Sequence, residues 1–417
     1  MQGSVAGNRR WYRVPVSVAA AVVFLCGVSS FSQGPIGQIA PLVSNGAVLL
    51  MDPSGGEVFS LNPDQLLIPA SIIKLYTAAI ATDILGASYR FETGFYTDSE
   101  GNLAIRGGGD PFLVSEEIDT IARRLKEAGV VTIRSLYLDH SRFESPVVVP
   151  GLSTTANPYN AINGALVVNF NTLNLRREAD GSVVSNEPQT PLTPLARQRG
   201  RELRAGTRQR INLSSDEQLC RRYAGELFAG IFAREGIAID DPTPHETTID
   251  TVRWHHVYTH RNSRTLEELC AALQEYSNNF IANQIFLTVG ASVAGYPATM
   301  EKGNAAFGNH LRQVMGRTPH DLVLVEGSGI SRSNRATARA MMDLLTQRPH
   351  LAQMLPRRRG ALAKSGTLSG VYNYAGYVAT PRGNYPFVII LNQSANHRET
   401  LLDLIVAAAA AHARQGW

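Results

Sequence analysis

The sequence predicts an α/β (α+β) protein in which one domain is interrupted by a second, mainly β-containing domain. Three observations predict it. Helix-like and strand-like segments occupy both ends of the chain, whereas the stretch from about Phe91 to about Arg253 turns into short strand-like runs separated by turns. At 417 residues the chain is too long for one ordinary domain and suits two or three. With 44% hydrophobic and 18% charged residues it can bury a sizeable core, which excludes a disordered chain, and its 36 Gly and 21 Pro follow no collagen-like period. The expected division is an export signal at 1–32, an outer domain made of 40–85 and 255–417, and an insert at 86–254.

The elements follow in order. Arg9, Arg10 and Arg13 precede Val16 to Val28, a 13-residue apolar stretch, with small-residue cleavage candidates at Val28-Ser29-Ser30 and Ser30-Phe31-Ser32. This reads as a secretory signal and predicts a periplasmic or otherwise extracytoplasmic protein. The stretch is short of the ~20 residues of a membrane span; a retained signal would instead leave the chain anchored or peripherally attached to the membrane. Val48 to Met51 and Val58 to Leu61 flank Pro53-Ser54-Gly55-Gly56 as a β-hairpin. Pro69 opens a helix from Ala70 to about Leu85, in which Ile72, Ile73, Tyr76, Ala79 and Ile80 recur at helical spacing.

Inside the insert, Leu103 to Arg106, Ser135 to Leu138 and Leu166 to Phe170 read as strands. One helix runs from Ser115 as N-cap, with Glu116 and Glu117 in its first turn, to a stop at Gly129; a second runs from about Asp216 to Glu235, stopped by Gly236. Thr190 to Thr207, rich in Pro, Gly and Arg, reads as loop. Beyond the insert, Leu266, Leu269, Cys270 and Leu273 make Thr265 to Tyr276 an amphipathic helix. Helix is also expected at Phe280 to Leu287, Ala336 to Leu345 and Arg398 to Ala413, and strand at Gly360 to Thr367, Ala375 to Val378 and Tyr385 to Leu391.

Charge excludes one class of partner. Taking the three N-terminal arginines from the 39 basic residues leaves 36 against 35 acidic ones, so no nucleic-acid-binding field is expected. Only four basic residues are lysines: Lys74, Lys126, Lys302 and Lys364. There is no C-x-x-C or H-E-x-x-H, so neither a metal site nor a cofactor is expected. Whether Cys220 and Cys270 pair is open at this level. Gly107-Gly108-Gly109-Asp110 lacks a following G-K-[ST] and reads as a turn rather than a phosphate loop.

Three short motifs carry chemistry. Ser71-Ile72-Ile73-Lys74 puts a hydroxyl and an amine on one helix face. A serine needs an adjacent base to be a nucleophile, and a lysine whose pKa is lowered by burial or a second cation can be that base. The orphan N–H groups of the first helical turn can donate to an oxyanion. Ser277-Asn278-Asn279 offers a hydroxyl and a carboxamide for proton relay and amide binding, though Ser60-Leu61-Asn62 and Ser394-Ala395-Asn396 match the pattern equally. In Lys364-Ser365-Gly366-Thr367, on a predicted strand, Lys364 and Gly366 share one face; the glycine would let a substrate peptide lie close, under a cation suited to a carboxylate. Taken singly, the first motif reads more readily as a chance tetrapeptide and the second as a polar helix end, and the third can be an edge strand with a protective lysine. Together and in this order they point to serine acyl transfer, because S-x-x-K, S-D-N and K-T-G form the signature of serine β-lactamases and penicillin-binding proteins.

From about Gly46 to the C-terminus the chain resembles the D-Ala-D-Ala carboxypeptidase/endopeptidase family of low-molecular-mass class C penicillin-binding proteins. The resemblance extends to Leu67 to Ser71, Gly107 to Pro111, Asp139 to Phe143, Glu326 to Arg335 and Lys364 to Val371. It implies a serine β-lactamase/DD-peptidase-like transpeptidase domain with the insert between the first and second motifs. It also implies peptidoglycan stem peptides as substrate, β-lactam antibiotics as acylating inhibitors, and a D-Ala-D-Ala carboxypeptidase activity with DD-endopeptidase activity open beside it. In that reading Ser71 is acylated, Lys74 is its general base, Ser277 passes a proton to the leaving group, Asn279 lines the cleft, and Lys364 holds the terminal carboxylate. Ser365, Gly366 and Thr367 line the substrate strand, and the N–H groups of Ser71 and Thr367 form the oxyanion hole. The chain departs from the family pattern at Ser365, where threonine is frequent, at Asn283, where glutamate is usual, and in a shortened Leu355 to Gly360 before the third motif. A β-lactamase-like hydrolase and a non-catalytic cell-wall-binding protein on the same scaffold are the alternatives; the missing deacylating glutamate speaks against the first, and the intact Ser71, Lys74 and Lys364 against the second.

Overall fold

A computed structural model describes Met1 and residues 34–415, so the expected signal, Met1 aside, lies outside the described residues. The chain begins with an antiparallel hairpin, β1 (Gly46–Met51) and β2 (Glu57–Leu61). Asp52 closes its turn by accepting from the N–H groups of Ser54 and Gly56. The helix expected from Ala70 is two pieces: a one-turn 3₁₀ segment, Ala70–Ile73, and then α1 (Lys74–Leu85). Residues 74–81 of α1 are all buried, so its pattern is that of an internal helix rather than of one apolar stripe.

The middle of the chain builds two further sheets. Its elements are β3 (Glu92–Thr97), β4 (Leu103–Arg106), α2 (Ser115–Glu127), β5 (Thr132–Asp139), β6 (Thr172–Arg177), β7 (Val183–Ser185), α3 (Pro194–Gly200), β8 (Thr207–Asn212), α4 (Glu217–Arg234), β9 (Ala238–Glu246) and β10 (His255–Arg261). Five strands form a mixed sheet in the order β10-β3-β4-β5-β9, with β4, β5 and β9 parallel and joined through α2 and α4. A three-stranded sheet, β7-β6-β8, stands beside it. Phe95, Ile105, Ile121, Leu136, Phe228 and Phe232 share one core between the helices and these strands.

Three local expectations are corrected here. Ser115 is the first helical residue rather than the cap; Val114 caps α2, and the Ser115 hydroxyl is engaged with Thr190. Leu166 to Phe170 is not a strand. Leu166 and Val168 enter the insert core while Ala165 and Val167 enter the other, which imitates strand alternation, and left-handed Asn169, Phe170 and Asn171 break any extended run. Thr190 to Thr207 contains α3, capped by Thr193, whose hydroxyl accepts from the Ala196 N–H, and opened by Pro194.

The last third adds α5 (Leu266–Tyr276), α6 (Asn279–Ala294), α7 (Met300–Gln313), β11 (Leu322–Val323), β12 (Arg335–Ala336), α8 (Ala338–Gln347), β13 (Arg357–Arg358), β14 (Ala361–Leu368), β15 (Val371–Thr380), β16 (Gly383–Leu391) and α9 (Arg398–Arg414). Thr265 and Glu268 cap α5 reciprocally in a capping box. A six-stranded antiparallel sheet runs β13-β14-β15-β16-β1-β2, and β1 pairs with β16 from Gly46↔Leu391 to Leu50↔Phe387. The two ends of the chain therefore make one sheet, to which residues 92–261 contribute no strand. One face packs on α9 through Val48, Phe387, Ile389, Leu401 and Ile405; the other packs on α1, α5, α6 and α8. Cys270 lies in this second core and Cys220 in the insert core, both buried and free. Among the described residues no helix is long and apolar enough to cross a membrane.

Candidate active site

Ser71 sits in the 3₁₀ turn that leads into α1, and Lys74 is the first residue of α1. Three residues per turn eclipse positions i and i+3, closer than an α-helix would. Lys74 Nζ is 2.9 Å from Ser71 Oγ and 2.8 Å from Asn279 Oδ1, and it also contacts the Ser328 carbonyl oxygen. Lys74 is fully buried, and among the described residues no carboxylate touches it. Burial first, and the positive charge of Lys364 second, push its pKa well below the usual lysine range, while the charge of Glu326 opposes them.

Two of those three neighbours can only accept hydrogen bonds. A carboxamide oxygen and a backbone carbonyl take two N–H groups of the amine, and the third position faces the Ser71 hydroxyl. A neutral amine has two N–H bonds and one lone pair, so this pocket fits it with the lone pair turned to the Ser71 proton.

Asn279 is delivered by the junction of α5 and α6. Ser277 ends α5 in the left-handed conformation, with φ 53°, and Asn278 caps α6 by accepting from the Ile281 N–H. Asn279 then begins α6, with Oδ1 on Lys74 and Nδ2 donating to the Tyr159 carbonyl at 3.3 Å. Ser277 is half-buried, and among the described residues its hydroxyl has no hydrogen-bond partner.

The third motif lies on β14. Lys364 is buried and Nζ donates to the Ser365 carbonyl at 3.1 Å. Its pKa is lowered to about 7, by burial first and then by Arg358; Glu275 pulls the other way, and Arg398 adds to the lowering. Gly366 bears the close approach expected of it, but to the protein itself rather than to a substrate. A Cβ there would stand 2.7 Å from the Pro69 carbonyl oxygen and 3.1 Å from the Ser71 nitrogen. On the other side a Cβ at Gly329, φ +81°, would stand 2.1 Å from the Ala70 carbonyl oxygen. The turn that carries Ser71 is clamped between two glycines, and Ala70 is held at φ 45°, a conformation a non-glycine residue adopts at a cost of roughly 1–3 kcal/mol.

Several residues outside the three motifs set this geometry. Asn373, fully buried in β15, donates to the carbonyls of Ile68 at 3.0 Å and Pro69 at 2.7 Å and accepts from the Leu391 N–H. Asn392 accepts from the Ile68 N–H at 2.7 Å and donates back to its carbonyl. An asparagine in mid-strand is against strand propensity, and that was the available signal. Glu326, also fully buried, accepts from the N–H groups of Ser328, Gly329 and Ser331, from the Ser328 hydroxyl and from Asn334 Nδ2. Five donors satisfy one carboxylate, and the loop they fix presents the Ser328 carbonyl to Lys74.

A concavity of about 1140 Å³ between α4 and β9 holds none of these residues and is lined mainly by aliphatic side chains, prolines and Arg–Glu pairs. It offers no nucleophile beside a base. The constellation around Ser71 is therefore the candidate active site.

The chain matches the D-Ala-D-Ala carboxypeptidase 3 (S13) family over residues 44–202 and 205–356. The match stops in the shortened segment before Lys364. A D-alanyl-D-alanine carboxypeptidase of Actinomadura sp. (strain R39) is 27% identical, covering 84% of this chain and 77% of that one. The D-alanyl-D-alanine carboxypeptidase DacB of Haemophilus influenzae is 26% identical, covering 79% and 81%. The crystal structure of penicillin binding protein 4 from Haemophilus influenzae superimposes with a TM-score of 0.68 at 21% identity, over 87% of this chain and 95% of the other.

Proposed function

Because the chain belongs to the D-Ala-D-Ala carboxypeptidase 3 (S13) family, it is a serine peptidase of the D-Ala-D-Ala carboxypeptidase class, and we propose that it trims peptidoglycan stem peptides through an acyl-enzyme on Ser71. The observation that carries the mechanism is the Lys74 pocket: a buried amine with two obligate acceptors on one side and the Ser71 hydroxyl 2.9 Å away on the other.

In this reading the Ser71 oxygen attacks the carbonyl carbon of the penultimate D-alanine and its proton passes to Lys74. The carbonyl oxygen gains negative charge, which the N–H groups of Ser71 and Thr367 stabilise. The C–N bond breaks, and the departing amine takes a proton from the Ser277 hydroxyl, which Lys74 replaces with the one it took from Ser71, so that Lys74 is neutral again. Water then attacks the ester carbonyl and gives a proton to Lys74. The C–O bond breaks, and Ser71 recovers its hydroxyl. Lys364 holds the terminal carboxylate and, as the second cation, helps keep Lys74 neutral. Asn279 orients Lys74, and Ser365 and Gly366 line the strand along which the peptide lies. A β-lactam acylates by the same first step, but its leaving nitrogen stays tethered, so the ester persists.

We assign the middle of the chain to one inserted unit and the remainder from residue 40 to the peptidase domain; the separate strand sets of 92–261 and of the chain ends support an insertion, but β10 (His255–Arg261) pairs with β3 in the insert's sheet, so the insert expected at 86–254 extends to about residue 261. Export to the extracytoplasmic space agrees with a peptidoglycan substrate. The test is intact-mass spectrometry after penicillin treatment, with Ser71→Ala as control. One adduct, on the peptide that contains Ser71 and absent from the variant, is expected. An adduct elsewhere, or none at high penicillin, refutes the acyl-enzyme.

A further inference from the structure

We propose that Arg398 is a positioning residue for the substrate's terminal carboxylate, acting through the hydroxyl of Thr367. The proposal rests on the carboxypeptidase reading above and adds a residue that none of the three motifs contains.

Arg398 opens α9, and its side chain is only 14% exposed. Its guanidinium lies 4.5 Å above the Tyr374 ring. Nη1 donates to Thr367 Oγ1 at 2.8 Å, and Nη2 donates to Glu399 Oε1 at 3.2 Å. The Tyr374 hydroxyl donates to that same glutamate oxygen at 2.9 Å. The guanidinium is thus held by a ring below, a carboxylate at one edge and a hydroxyl at the other.

The polarity of the Arg398–Thr367 contact follows from chemistry alone. A guanidinium can only donate, so Thr367 Oγ1 accepts, and the threonine's own proton must point elsewhere. Among the described residues no acceptor takes it. Thr367 is exposed on β14, three residues beyond Lys364. Lys364 Nζ has one protein acceptor, the Ser365 carbonyl, and no carboxylate partner among the described residues. The end of β14 therefore presents a polarised, exposed O–H donor on the face opposite to Lys364 and Gly366, and among the described residues no protein group accepts its proton. A carboxylate is a ligand that this hydroxyl can hold, with the charges of Lys364 and Arg398 nearby. Arg398 fixes the threonine as a donor and adds positive charge behind it. Glu399 balances part of that charge, so the contribution is that of orientation and one strengthened hydrogen bond rather than of a free cation.

The test uses two thiolesters with the same D-Ala-terminated acyl peptide. One has a leaving thiol that carries a carboxylate, and the other has an uncharged thiol. For Arg398→Ala, kcat/KM on the carboxylate thiolester should fall about tenfold, the order expected for weakening one hydrogen bond to a charged group. On the uncharged thiolester it should stay within about twofold, which also shows that the variant folds. Arg398→Lys should recover part of the loss. In a Thr367→Val background, where the hydroxyl is already gone, adding Arg398→Ala should cost little more on the carboxylate thiolester. Equal loss on both thiolesters would reduce Arg398 to a scaffold residue and overturn the proposal, as would no loss on either, or full additivity with Thr367→Val. A wild-type enzyme that hydrolyses neither thiolester would overturn the carboxypeptidase reading itself, an outcome distinct from a loss of selectivity.

Discussion

Replacing Glu326 by glutamine would test both the rigidity of the site and its electrostatics. Oε1 of Glu326 accepts from the Gly329 N–H, the Ser331 N–H and Asn334 Nδ2; Oε2 accepts from the Ser328 N–H and hydroxyl. A glutamine NH₂ group costs least at the Oε2 position, where the Ser328 hydroxyl can rotate to accept. Even there it faces the Ser328 N–H, donor against donor. One charge-assisted bond is lost, one buried N–H is left unsatisfied, and the remaining bonds weaken; at about 1.5–3 kcal/mol per bond to a charged group the sum is roughly 3–5 kcal/mol. At about 2–4 °C per kcal/mol, Tm should fall by roughly 6–20 °C. The second effect has the opposite sense for activity. The charge of Glu326 raises the Lys74 pKa against burial and Lys364. Removing it lowers that pKa further, so the base is neutral at lower pH. The rise of the acylation rate with pH should therefore move to lower pH in the folded variant. The assay is the second-order rate of acylation by a chromogenic β-lactam across pH, below the Tm of the variant, with thermal unfolding in parallel. An unchanged Tm would refute the donor count as a stabilising device. A pH rise that stays in place or moves upward would refute the coupling of Glu326 to a lysine base.

Substitutions at two further positions separate the roles of the buried lysines. Lys74→Arg should abolish acylation as completely as Lys74→Ala, because arginine keeps its proton; near-normal acylation by the arginine variant would remove Lys74 from the role of base. Lys364→Arg should retain part of the activity and Lys364→Ala should lose most of it, with the residual rise in rate moved to higher pH because a cation that depresses the Lys74 pKa is gone. Equal loss in both Lys364 variants would show that ammonium geometry or proton transfer, not charge, is needed at that position.

What was legible in the sequence was what is local. Ser71 and Lys74 are three residues apart, so one helical turn brings them together whatever the rest of the chain does. The hairpin at Pro53 to Gly56 and the capped helix after Thr265 are equally short-range. Long-range pairing carried no such signal. Lys74 meets Asn279 across 205 residues and Ser328 across 254, and nothing in periodicity says so. Only the order of three motifs, and the resemblance they bring, anticipated the shared site. Elsewhere the physics was right and the partner wrong: Gly366 does admit a backbone, but it is the backbone of Pro69 to Ser71. Leu166 to Phe170 failed because alternation between two cores looks like alternation between core and solvent. The Thr190 to Thr207 stretch failed because its Pro, Gly and Arg content hid a helix only seven residues long.

The scarcity of lysine supports the division of labour in the site. The chain has 35 arginines and four lysines, so arginine is its default cation. Lys126 and Lys302 each hydrogen-bond backbone carbonyls, of Glu235 in one case and of Gly295 and Pro297 in the other. The remaining two are Lys74 and Lys364, both buried and neither touching a carboxylate among the described residues. A buried guanidinium in either place would stay charged and would need an anion of its own. At position 74 that anion would have to stand where Ser71, Asn279 and the Ser328 carbonyl converge, and a permanently charged donor would turn toward the serine oxygen rather than take its proton. At position 364 the anion would occupy the place proposed for the substrate carboxylate. Lysine meets both requirements because burial can shift its protonation, and Arg358 and Arg398, placed around Lys364 rather than at the reacting hydroxyl, supply the fixed charge that the two lysines leave variable.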